Sequence, residues 1–231
     1  MPLIRAATSE FVGTAFLVAA VIGSGIAAQR LSPDDVGLQL LENSLATGVA
    51  LVALILALQP VSAAFNPVVT LMERALGVIG SRDTAVLIGA QLCGGVVGAV
   101  VSNLMFDLSP VSFSTTTRTG GGMWLGEAVA TLGLVLVVVG TVRSGREAQV
   151  AFAVGGYITA AYWFTSSTSF ANPAVTFARM LSDSFAGISP TSVAMFVVMQ
   201  LVGGLLAFGL VRVLYPDAAL AVSSLHPQRT G

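Results

Sequence analysis

The chain contains no lysine, one histidine and one cysteine, and charged residues make up 9% of its 231 residues. Without lysine, and with a formal net charge of −1, it has no basic face for nucleic acid and no polybasic anchor for a lipid surface. The lone Cys93 cannot form an intrachain disulfide and is expected as a small buried hydrophobe inside an apolar span. The lone His226 sits in a polar tail with no metal-ligating neighbour, so no metal site is expected. No nucleotide-binding motif occurs and no cofactor is expected. Soluble domains carry roughly 25% charged residues, so the charge content also excludes an ordinary soluble domain. An enzyme is not expected.

What the chain does have is apolar length. Hydrophobic residues make up 55% of it, and a membrane span needs about 20 of them in a row. Six candidate spans cover residues 11–28, 41–58, 86–106, 125–142, 150–164 and 193–214. They use up most of the chain and leave no room for a soluble domain. The first run follows Arg5 without a clear small-residue cleavage site and reads as an uncleaved span rather than a signal peptide. Two shorter segments, 66–77 and 172–185, cannot cross a core about 30 Å thick at about 1.5 Å per residue. These are half-membrane or loop helices.

Each short segment opens on the same motif, Asn66-Pro67-Val68 and Asn172-Pro173-Ala174, with Thr70 and Thr176 following at the same spacing. Asn caps orphan backbone donors and Pro fits the first helical position, so each motif starts a helix. Further landmarks recur in the same order: Glu10 and Glu127 near the openings of the first and fourth spans, then Gln91 and Gln200 in the third and sixth. The chain therefore divides into repeats at about 8–107 and 123–215, followed by a polar tail, 216–231. Three spans per repeat is an odd number, so the second repeat is inverted across the bilayer. The half-helices then enter from opposite faces and their Asn-Pro starts meet near the midplane. Arg5, Arg74, Arg82, Arg143, Arg146, Arg212 and Arg229 fall on one side with the termini, against Arg30, Arg118 and Arg179 on the other. The positive-inside rule puts both termini in the cytoplasm.

Irregular backbone at membrane depth survives only where it is buried in protein or lines a water-filled cavity. Segments 59–65 and 165–171 are such backbone, and their carbonyls form a ladder of acceptors leading to Asn66 and Asn172. Both half-helices aim their positive ends at the centre, a barrier to cations and protons but not to neutral solutes. Glu10 and Glu127 are intramembrane carboxylates. One reading makes them a proton relay or ion site; the favoured one has each accepting hydrogen bonds from the re-entrant loop of its own half.

These residues together, with Phe65 to Thr70 and Ser169 to Thr176, resemble the aquaporin (major intrinsic protein) family across nearly the whole chain. The resemblance implies an all-α membrane protein: six transmembrane helices and two re-entrant half-helices in an inverted 3+3 repeat, assembled as a homotetramer with one pore per subunit. It implies a passive channel in the lipid bilayer for small neutral solutes, in a bacterial inner (plasma) membrane. In the family an arginine usually follows the second Asn-Pro-Ala; here Val175 stands there. The other filter positions correspond to Thr47 (or its neighbour Ala46), Ala160 and Ser169. A filter of Thr47, Ala160, Ser169 and Val175, with no arginine or bulky aromatic, is expected to be wide. It suits water with glycerol-sized polyols or undissociated metalloid acids such as arsenite, and is similar to the bacterial aquaglyceroporin-like branch associated with arsenic resistance. Thr176 replaces the Asp usual in glycerol channels, which weakens glycerol as the dedicated solute. Ala64 replaces the usual loop His, so no pH gate is expected. The alternatives are a water-selective aquaporin and an ion or proton-coupled transporter using Glu10 and Glu127. Arg179, one turn beyond Val175, is expected at the surface end of its half-helix, with Arg118 a weaker candidate for the pore mouth. Tyr162-Trp163-Phe164 are expected as an interfacial belt, and Gly94, Gly98, Gly203 and Gly204 as close helix packing.

Overall fold

The computed structural model describes residues 2–216; the polar tail from 217 on, with His226 and Arg229, lies outside the described residues. Helices follow the hydrophobic runs: α1 (Leu3–Leu31), α2 (Val36–Leu58), α3 (Pro67–Ala75), α4 (Ser81–Met105), α5 (Gly121–Arg143), α6 (Val150–Phe164), α7 (Pro173–Arg179) and α8 (Pro190–Leu214). Five of them are long and apolar enough to cross a membrane. The sixth span, α6, has 15 residues, about 22 Å of helix. A 3-10 turn, Glu147–Gln149, extends it at its start. The short helices α3 and α7 complete six spans and two half-helices.

Most spans run a few residues past the apolar stretch because capping and polar first-turn residues extend a helix beyond its hydrophobic part. Asp35, for example, caps α2 by accepting from the Leu38 backbone N–H. The second half-helix is the opposite case. It stops at Arg179 rather than near 185, because the chain turns at Met180 and continues as irregular backbone to Ser189.

Each half repeats one arrangement. In the first, α1 packs along α4 and against α2; in the second, α5 packs along α8 and against α6. The halves join where α2 meets α6, where α7 packs on α4 and α3 on α8, and where the two half-helices touch. Close approach requires glycine at matching places. A Cβ on Gly94 would run into the Phe11 carbonyl of α1, and one on Gly203 into the Ala128 carbonyl of α5. Cys93, beside Gly94, corrects an expectation: it is exposed, on the face of α4 turned away from α1. The side that packs on α1 is taken by Gly94 and Gly98, leaving the thiol on the outer face.

Candidate pore

The centre of the molecule is built from two capped helix starts held against each other. Asn66 Oδ1 accepts the Val68 N–H at 2.9 Å, and Asn172 Oδ1 accepts from Ala174 N at 3.0 Å and Val175 N at 3.3 Å. Each amide nitrogen then donates across the molecular centre, Asn66 Nδ2 to the Ala171 carbonyl at 2.8 Å and Asn172 Nδ2 to the Phe65 carbonyl at 2.7 Å. An amide nitrogen carries two N–H donors, so one on each Asn is left for the lumen that both residues line.

The accepting carbonyls belong to residues in the left-handed region, Phe65 with φ 47° and Ala171 with φ 49°. Thr168 and Ser169 are left-handed as well, with φ 62° and 50°. Such conformations cost about 1–3 kcal/mol each in a non-glycine residue and persist only where the surroundings hold them.

Two buried carboxylates hold Phe65 and Ala171, while the Thr165 carbonyl and Ser167 Oγ accept from the N–H groups of Thr168 and Ser169. Glu10 accepts from Ser62 Oγ at 2.5 Å, Ala64 N at 2.9 Å, Phe65 N at 2.7 Å and Gln91 Nε2 at 2.8 Å. Glu127 accepts from Phe170 N and Ala171 N, both at 2.9 Å, and from Gln200 Nε2 at 2.5 Å. Gln91 also donates to Thr70 Oγ1 and Gln200 to Thr176 Oγ1, at 2.9 and 2.7 Å. Carboxylate, loop, half-helix and glutamine are thus tied together in the same way in both halves. Neither Glu10 nor Glu127 lines the lumen; both face the re-entrant loop of their own half.

One cavity of about 110 Å³ passes both Asn residues, room for several waters. Its lining is mostly apolar, with Leu17, Val21, Leu51, Val139 and Val154 among the residues, and includes the polar side chains of Thr47, Tyr162, Ser169, Arg179 and the two Asn. Thr47 Oγ1 and the Tyr162 hydroxyl lie 3.1 Å apart. Ser169 Oγ is buried without a protein partner, so its hydroxyl is left to a permeating molecule. Thr47, Ser169 and Val175 all line the cavity, and Ala46 does not.

Three expectations are corrected here. Ala160 is exposed and off the cavity. Val150, Val154, Ile158 and Tyr162 form the lining stripe of α6, and a residue midway between two of these, at about 3.6 per turn, faces away from them. Tyr162 is therefore not part of an interfacial belt; only Trp163 and Phe164, about half exposed, lie on the outer face. Nor is Arg179 a surface residue. It is 2% exposed, its Nε donates to the Ala186 carbonyl, and its guanidinium lies 3.4 Å from the Phe170 ring centroid. The cavity wall thus carries an arginine and the aromatics Tyr162 and Phe170. The arginine lies one helical turn beyond the position that Val175 occupies.

Arg118 stands on the same ring at 5.1 Å and donates to the Gly187 and Phe185 carbonyls, fastening the loop between the halves. It does not line the cavity. Sequence reasoning also missed Glu73, a buried residue of α3 that lines the cavity. The signal that finds it is the repeat: Glu73 follows Asn66 at the distance at which Arg179 follows Asn172.

Comparison with known proteins agrees with this geometry. The sequence matches the major intrinsic protein family in two overlapping stretches, residues 1–149 and 124–230. It is 45% identical to aquaglyceroporin AqpS of Rhizobium meliloti (strain 1021) over 227 residues, spanning 98% of this chain and 97% of that protein. It is 33% identical to aquaporin A of Dictyostelium discoideum over 179 residues, 71% of this chain and 63% of that one. Among solved structures, the aquaglyceroporin from Plasmodium falciparum aligns with a TM-score of 0.72 over 95% of this chain and all of that one. At 18% identity that likeness concerns the fold.

Proposed function

Given that the chain belongs to the major intrinsic protein family, an integral multi-pass membrane channel and not an enzyme, we propose that it passes water, glycerol-sized polyols and undissociated metalloid acids such as arsenite down their gradients. The observation that carries this reading is the mixed lining of the cavity, apolar side chains together with Thr47, Tyr162, Ser169 and Arg179. A polyol has a carbon face and a hydroxyl face. The apolar lining residues meet the first, and Thr47, Tyr162, Ser169 and Arg179 exchange hydrogen bonds with the second. An arsenite molecule, three hydroxyls on one centre, is handled by the same polar groups. A relative named an aquaglyceroporin along nearly the whole length supports the solute class.

The selectivity region in this proposal comprises Thr47, Ser169 and Val175 with Tyr162 and Arg179. Asn66, Pro67, Val68, Asn172, Pro173 and Ala174 form the waist, and Glu10 and Glu127 its scaffold. The two halves act as one channel domain, set in a bacterial inner membrane with both termini cytoplasmic and assembled as a homotetramer. Many large apolar side chains of the outer surface, among them Phe16, Val49, Leu205 and Val213, are exposed in the single chain, and lipid and neighbouring subunits would cover them. The test is a stopped-flow series on proteoliposomes with water, glycerol, urea and arsenite. Accelerated shrinkage for water with accelerated re-swelling for glycerol and arsenite is expected. Water flux alone would leave a water-selective pore.

A further inference from the structure

We propose that a groove between the end of α5 and the start of α6 binds an anionic phospholipid, with its phosphate on Arg146 and an acyl chain along Leu136, Val137 and Phe152. The groove shares no lining residue with the central cavity, so the site is independent of which solutes pass.

Its polar end is built where the chain leaves the membrane and re-enters it. Helix α5 stops at Arg143, and the chain turns back through Glu147–Gln149 into α6. The turn is fixed from three directions. Arg146 N–H donates to the Thr141 carbonyl at 3.2 Å, Gln149 N–H to the Arg146 carbonyl at 2.8 Å, and Gln59 Nε2 of α2 to the Glu147 carbonyl at 3.2 Å. A helix C-terminus ordinarily repels an anion. Here the Gly140 and Thr141 carbonyls are already taken by Ser144 Oγ, at 2.8 and 3.0 Å.

The donors that remain suit a phosphate. Among the described residues the side chains of Thr141, Arg146 and Gln149 have no hydrogen-bond or ion-pair partner. Arg146 is the one charged residue of the lining; Glu147, its neighbour, lies outside the lining and has a contact of its own. A guanidinium fork matches two phosphate oxygens, and the Thr hydroxyl and Gln amide add neutral donors. A Cβ on Gly140 would lie 3.1 Å from the Tyr215 hydroxyl. Helix α8 therefore ends beside the groove and brings Arg212 to the same end of the bundle.

The rest of the groove suits a hydrocarbon chain. Leu136 and Val137 precede Arg143 by seven and six residues, about 10 Å further into the membrane. Phe152, in the first turn of α6, is 58% exposed. A free phosphate would leave this apolar length uncovered, whereas a phospholipid fills both parts at the depth where its headgroup and chains lie. Basic pockets between spans are where anionic headgroups dock.

The test is thermal melting of the full chain in detergent, titrated with phosphatidylglycerol or with phosphatidylcholine of the same acyl chains. Phosphatidylglycerol should raise the melting temperature at least about 3 °C more than phosphatidylcholine, the shift for a ligand at roughly ten times its dissociation constant. Arg146→Gln and Phe152→Ser should each cut that difference below about 1 °C. Arg82→Gln, which removes an exposed arginine at the start of α4 outside the groove, should keep it. Glycerol 3-phosphate, the headgroup without chains, should give no shift. A phosphatidylglycerol advantage retained in Arg146→Gln, or lost equally in Arg82→Gln, would overturn the inference. Equal stabilisation by glycerol 3-phosphate would overturn it in favour of a soluble anion. No advantage in the unsubstituted protein would overturn it as well, the outcome if a neighbouring subunit fills the groove.

Discussion

Removing the Glu127 carboxylate should dismantle the second re-entrant loop. In Glu127→Ala the N–H groups of Phe170 and Ala171 and the Nε2 of Gln200 lose their common acceptor. Each is buried, and an orphaned donor costs about 1–3 kcal/mol, or about 3–9 kcal/mol for the three. That is a large part of a typical total stability of about 5–15 kcal/mol. The left-handed Ala171 also loses the acceptor that holds its N–H, so the loop relaxes and the Ala171 carbonyl leaves Asn66. Detergent-solubilised protein should melt at least about 6 °C lower, at roughly 2 °C per kcal/mol for a chain of this size. Water permeability should fall towards that of empty liposomes. Glu127→Gln keeps one acceptor oxygen and should fall between the two. A Glu127→Ala protein melting within about 2 °C of the parent, with its water flux intact, would refute the scaffold role.

Other substitutions probe single contacts. A side chain at Gly13 would occupy the place of the buried Phe65 ring, so Gly13→Val should lower the melting temperature by an overpacking cost of about 1–3 kcal/mol; an unchanged melt contradicts the packing. Val175→Arg puts a second guanidinium one turn from Arg179 and should keep water flux while cutting glycerol re-swelling at least fivefold; equal retention of both would remove Val175 from the selectivity region. Tyr162→Phe deletes the hydroxyl facing Thr47 and should change the glycerol-to-water permeability ratio at least twofold with little effect on melting. A constant ratio would take Tyr162 away from the constriction.

What was legible in the sequence was local chemistry and its repetition. Asn-Pro caps a helix wherever it occurs, so the starts of α3 and α7 followed from the residues themselves. The order Glu, Asn-Pro, Gln in each half carried the inverted architecture, and the structure ties those residues together in the same pattern twice. Rotational phase was less legible. In α6 a shift of two residues separates the lumen from the outer face, and apolar residues on both sides hide the phase, which is why Ala160 was expected where Tyr162 stands. Arg179 and Glu73 were obscured for a different reason. A charged residue at a helix end ordinarily belongs to the surface, and only the return of the chain through Ala186 buries Arg179. Cys93 likewise lies on a helix whose buried face is set by its glycines rather than by its larger residues.

The most direct test of the central claim, a passive pore for uncharged solutes, is glycerol equilibration in proteoliposomes with and without an imposed potential of 100 mV. Moving one charge across that potential is worth about 2.3 kcal/mol, which would drive roughly 50-fold accumulation of a singly charged or charge-coupled solute. The expected result is a rate well above that of empty liposomes, the same final concentration inside and out, and no dependence on the potential. Accumulation against the gradient that follows the sign of the potential would contradict the account and return Glu10 or Glu127 to a coupling role.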